Sequence, residues 1–73
     1  MTQFVLKDRN GNYVNYFSEE LDSFFSEGFD SPIVAIVFTD VEATLAESYN
    51  ELPIKDAIHY GDLTIHYLNV PLP

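Results

Sequence analysis

The sequence predicts a small α+β domain, on three observations. Ile33-Val34-Ala35-Ile36-Val37-Phe38 is an unbroken apolar run of strand-forming residues. Thr39-Asp40-Val41-Glu42 behind it carries the signature of a helix start. Alternating segments at both ends of the chain read as strands. The expected architecture is one mainly antiparallel sheet of about four strands, in the order β-β-α-β-α-α-β, with helices packed on it.

Taken in order, Phe4 to Phe17 reads as a β-hairpin about Asp8-Arg9-Asn10-Gly11-Asn12. A two-residue Asn10-Gly11 turn would oppose Arg9 to Asn12. A type I turn with Gly11 left-handed opposes Asp8 to Asn12, grouping Phe4, Leu6, Val14 and Tyr16 on one face. The second separates apolar from polar residues better, and Asp8 suits the first turn position. The bulged loop is the expected register.

Ser18 to Gly28 fits a short helix. Ser18 is placed to cap it, Glu19 and Glu20 favour its positive end, and Gly28 supplies a left-handed stop. Leu21, Phe24 and Phe25 share one face, and only docking of that face would hold so short a helix. Without docking, the segment is a mobile acidic-aromatic loop.

The run Ile33–Phe38 asks for burial on both faces, as a central strand does. After it, Thr39 is the expected cap, with Glu42 reaching back and a helix continuing to about Asn50. Val41, Leu45 and Tyr49 recur on its inner face, with Ala43 and Ala46 allowing close approach. Pro53 opens a second helix to Tyr60, closed by Gly61, with Ile54, Ala57 and Ile58 inward. Leu63 to Val70 ends the pattern as a strand, stopped by Pro71 and Pro73.

The 73 residues are expected to form one domain at most, short enough that its core is marginal or supported by a partner. There is no cysteine, which excludes disulfides and thiolate metal sites. Six Phe and five Tyr enlarge the apolar area available for burial. Twelve acidic residues face three basic ones, a formal charge of −9. That balance argues against direct binding to nucleic acid or to an anionic membrane, and favours a basic protein partner or simple solubility. Neither a signal peptide nor an apolar run of membrane-spanning length is visible, so the expected compartment is cytoplasmic.

Specific chemistry is sparse. Asp8, Asn10, Asn12 and Glu19 share spacing with calcium-loop ligands, but Tyr13 stands where that loop requires glycine. His59 and His66 match no zinc spacing. The serines lack a nucleophile elbow or a histidine nearby in sequence. The expectation is a non-enzyme without cofactor or metal. The stretch Glu19 to Asp30 is the candidate partner-binding segment, carrying Glu19, Glu20, Asp22, Glu27 and Asp30 with Leu21, Phe24, Phe25 and Phe29, and no base. Carboxylates around apolar anchors suit a basic, partly hydrophobic surface. The competing reading puts Phe24, Phe25 and Phe29 in the core, with the acids merely solvated.

Lys7 with Gly11-Asn12-Tyr13, Phe38-Thr39-Asp40 ahead of Ala43, and the closing Leu63-Thr64-Ile65 together form a pattern that resembles small uncharacterised acidic proteins of phages and prophages. The resemblance covers most of the chain and implies a host-directed accessory protein acting in the host cytoplasm. Several small acidic phage proteins inhibit host nucleic-acid enzymes by mimicking the charge of DNA, and a similar inhibitor of a basic host protein is the implied role. The alternative class is a structural or self-associating protein, such as a virion or assembly component, for which a homo-oligomer is expected. A metal-dependent or hydrolytic enzyme ranks third.

Overall fold

The structure, a computed structural model, describes residues 2–28 and 32–68. Its order is β1 (Phe4–Asp8), β2 (Tyr16–Ser18), β3 (Ser23–Phe25), a single 3-10 turn (Pro32–Val34), α1 (Val41–Leu45), β4 (Ser48–Tyr49), β5 (Leu52–Pro53), α2 (Ile54–His59) and β6 (Leu63–Tyr67). The α+β class holds. The single sheet does not: β1 and β6 form an antiparallel pair, and β2-β3-β4-β5 form a second sheet.

β1 organises the fold. Along one edge it pairs with β6, from Phe4 opposite Tyr67 to Asp8 opposite Leu63. Along the other it meets the returning hairpin in the bulged register: Asp8 N–H donates to Asn12 C=O at 2.8 Å, Lys7 bridges Tyr13, and Val14 N–H donates to Leu6 C=O. Gly11 has φ +87°, a backbone region that side chains with a Cβ rarely adopt. The Asp8 carboxylate accepts from Asn10 and Asn12 N–H, which explains aspartate at the turn's first position. Phe4, Leu6 and Val14 are buried as the register requires.

Tyr16 leaves that face. Beyond Val14 the place opposite Phe4 is taken by Phe38, whose N–H and C=O exchange hydrogen bonds of 2.8 and 3.0 Å with Phe4. The expected central strand therefore reduces to an extended edge contact. Ile33 is 91% exposed, Val34 and Val37 are also exposed, and only Ile36 and Phe38 turn inward. Burial on both faces needs a layer on each side, and a chain this short supplies one core. The run instead alternates, with Ile36 and Phe38 in and Val37 out.

The helix expected over Ser18–Gly28 is a β-hairpin. Ser18 Oγ does accept from Leu21 N–H, as a cap would. The chain then reverses through Asp22, at φ +50°, and Ser23, Phe24 and Phe25 pair back onto Ser18, Phe17 and Tyr16. Four aromatic residues at 16, 17, 24 and 25 favour the pleated arrangement over a helix containing Ser, Asp and β-prone Phe.

α1 is shorter than expected and starts one residue later. Asp40, rather than Thr39, is the cap, accepting from Ala43 N–H at 3.1 Å. The helix ends at Leu45 instead of about Asn50, because Ser48–Pro53 forms a tight hairpin, β4 to β5, turning at Asn50 and Glu51 with φ of +52° and +66°. Val41, Leu45 and Tyr49 still pack on the core. The hairpin abuts β3 in parallel, Phe24 beside Tyr49, with Asn50 N–H donating to Phe24 C=O and Glu51 N–H to the buried Ser23 Oγ.

α2 matches its expectation closely, with Pro53 as cap and Tyr60 following the last helical residue. Gly61, at φ +83°, ends it in a Schellman motif: Asp62 N–H donates to Ala57 C=O and Gly61 N–H to Ile58 C=O. Ile54, Ala57 and Leu63 complete a core with Phe4, Leu6, Val14 and Phe38. β6 is seen to Tyr67; its expected end at Val70, and Pro71 and Pro73, lie outside the described residues.

Candidate functional site

The β2–β3 hairpin splits the aromatic stretch between two faces. Phe24 turns inward, with its ring 4.7 Å from Phe17 and edge-on to Phe38 at 5.2 Å. This part of the stretch is core. Phe25 turns to the opposite face, beside Tyr16 at 6.5 Å. There Tyr16, Ser18, Leu21, Phe25, Ser26 and Glu27 line an open groove of about 460 Å³. Tyr16 and Leu21 are 46% and 49% exposed.

Of the carboxylates in this stretch, Glu27 lines the groove. Glu19, Glu20 and Asp22 are exposed in the hairpin turn, and Glu27 is exposed at the far end. Glu27 is held by its own N–H, which donates to Asn15 Oδ1 at 2.9 Å. Glu27 therefore stands at the groove, and Glu19, Glu20 and Asp22 neighbour Leu21 along the turn, with no base lining the groove. Phe29 and Asp30, the other two expected contact residues, lie outside the described residues.

A second polar centre, absent from the sequence reading, joins three elements. Ser26 Oγ donates to Asp8 Oδ2 at 2.7 Å, leaving its lone pairs for Tyr49, whose hydroxyl lies 2.8 Å away. A serine hydroxyl has one proton, so Tyr49 is the donor to Ser26. Partial burial pushes the Asp8 carboxyl up, but hydrogen bonds from Ser26 and from the backbone at Asn12, Asn10 and Gly11 outweigh it and hold it below the usual value. Beside this chain, Arg9 pairs with Asp62 across a cleft of about 300 Å³ that Asn50 and Leu52 help to line. The arrangement fastens the first turn to β3 and β4. Its donors and acceptors already satisfy one another, which suits a structural fastening rather than a group poised for a substrate.

The histidines stand apart. His59 packs its ring edge against Tyr60, and His66 shares a hydrogen bond with Thr64 Oγ1 at 2.9 Å. Among the described residues, no three His, Cys, Asp or Glu side chains are grouped to hold a metal ion, and no helix is long and apolar enough to cross a membrane.

No family model, curated protein or solved structure matches this chain. The function therefore has to be argued from the geometry above.

Proposed function

We propose that this chain is an acidic protein-binding module, and that the groove on the β2–β3 hairpin receives a basic, partly apolar surface of another protein. The observation that carries this reading is the groove lined by Tyr16, Leu21, Phe25 and Glu27, in which Tyr16 and Leu21 are exposed and Leu21 sits in a turn with the exposed Glu19, Glu20 and Asp22. Charge of one sign would speed encounter, and the apolar lining would hold the contact once formed. The role is binding rather than catalysis. Its setting is the cytoplasm, and the resemblance to small phage and prophage proteins extends it to inhibition of a basic host protein, with carboxylates standing in for DNA phosphates.

A defined probe tests the reading: a peptide of alternating lysine and leucine, with an alternating glutamate and leucine peptide as control. Only the basic peptide should bind, and its association should slow as salt shortens the ~10 Å screening length found at about 0.1 M. Reversal of Glu19, Glu20 and Asp22 to Lys should lower the on-rate, while Leu21→Ala should raise the off-rate. Equal binding of both peptides, or indifference to these changes, would overturn it.

A further inference from the structure

Among the described residues, the β1–β6 ladder leaves one side of β6 without a partner. Leu68 N–H donates to Gln3 C=O at 2.8 Å, and the register continues with His66 opposite Val5 and Thr64 opposite Lys7. In an antiparallel ladder the hydrogen-bonded pairs alternate, so Leu68, His66 and Thr64 spend their N–H and C=O groups on β1. Leu63, Ile65 and Tyr67 then direct theirs outward. Among the described residues nothing engages those outward groups.

An open edge is usually guarded by lysine, proline, a bulge or brevity. β5 is two residues long and ends in Pro53, and β2 has three residues. β6 has five and contains no proline or lysine. Its charge also differs from the rest of the molecule. In a chain of net charge −9, Leu63 to Leu68 carries no acidic residue, and the adjacent Asp62 is paired with Arg9. Copies that repel one another elsewhere meet no like charge along this strand.

We propose that β6 is a self-association edge, which pairs antiparallel with β6 of a second copy about a two-fold axis at Ile65. Ile65 then faces Ile65 of the second copy, and Leu63 faces its Tyr67. All the outward groups fall on hydrogen-bonded positions, giving about six intermolecular backbone bonds. Tyr67, 58% exposed in the single chain, gains an aliphatic cross-strand neighbour. The two ladders join into one four-stranded sheet, β1-β6-β6-β1. This edge is separate from the hairpin groove and does not depend on it.

Sedimentation equilibrium of the full chain should show a monomer–dimer equilibrium that shifts toward dimer as salt rises from about 0.1 to about 0.5 M, because screening weakens repulsion between the acidic copies. Tyr67→Pro removes an outward N–H while leaving every bond to β1 in place, so it should weaken the dimer at least about tenfold with an unchanged circular dichroism spectrum. The register has an independent test that does not rely on that variant folding. The chain has no cysteine, and the facing Cα atoms of such a pair are about 5.5 Å apart, within disulfide range. Ile65→Cys alone should therefore cross-link on mild oxidation. Thr64→Cys and His66→Cys should cross-link only when mixed, giving the heterodimer. A chain that stays monomeric at all concentrations, a Tyr67→Pro variant that dimerises like the parent, or cross-linking of Thr64→Cys by itself would overturn the proposal.

Discussion

Ser26 and Asp8, eighteen positions apart, are joined by a 2.7 Å hydrogen bond from the serine hydroxyl to the carboxylate. Asp8 thereby serves two structures at once. Its Oδ1 holds the turn at Asn10 and Asn12, and its Oδ2 draws in β3 and, through Ser26, Tyr49.

Asp8→Asn should lower stability by about 1–3 kcal/mol at neutral pH, since it breaks charge-assisted bonds on both sides of the carboxylate. The folded carboxyl ionises below its ordinary value of 3.8. Its contribution is thus fully present above that value and disappears as pH falls through the lower folded value. The gap between parent and variant in urea melts should be constant from neutral pH to the ordinary carboxylate range and narrow below it. A gap independent of pH would refute the role given to ionised Asp8.

Gly11 adopts φ +87° with nothing within 4 Å of where a Cβ would stand. The cost of Gly11→Val is accordingly one of backbone strain, about 1–2 kcal/mol, and not of collision. Asn10→Ala should cost less. Thermal melts that show equal tolerance of both changes would contradict the bulged turn.

Glu51 stands at φ +66° in the β4–β5 turn, where asparagine followed by glycine is the favoured pair. Glu51→Gly should raise stability by about 0.5–1 kcal/mol through relief of that strain. The gain would appear as a melting temperature several degrees higher. A lower one would show that the Glu51 side chain contributes more than its backbone costs.

Substitutions along the 33–38 run should follow its alternation. Phe38→Ala should cost about 3–5 kcal/mol, Ile36→Ala distinctly less, and Ile33→Ala within about 0.5 kcal/mol of nothing. Equal costs at Ile33 and Phe38 would restore a strand buried on both faces.

The sequence was most legible where chemistry is local. Asp8 and Gly11 define the first turn, and Pro53 and Gly61 bracket α2, because cap and turn residues act on their own neighbours. It was least legible where partners are distant. Nothing in Ile33–Phe38 says that its backbone meets only single residues, Phe38 at Phe4 and Ile36 at Val14, so six apolar residues read as a core strand. Ser18, with acids behind it, is as good a start for a turn as for a helix, and the choice was made by Phe24 packing on Phe38. The β4–β5 hairpin had a weak signal in Asn50, without the glycine that usually accompanies it. Of the contact segment, Glu19, Glu20, Asp22 and Glu27 are exposed and Glu27 lines the groove, whereas Phe24 packs against the core. Tyr16, outside the 19–30 segment, also lines the groove.

The pairing of Phe4 with Tyr67 also sets a schedule. β1 finds its longest ladder in β6, so loop closure must span about sixty residues before that ladder forms. During synthesis Phe4 and Leu6 remain without their full covering until Leu63–Tyr67 have left the ribosome. Such non-local pairing favours slow folding, whereas the hairpin 4–14 closes locally and can form early. For that interval an apolar strand with an open edge is exposed, and the acidic residues that burden the folded state help to keep the unfinished chains apart.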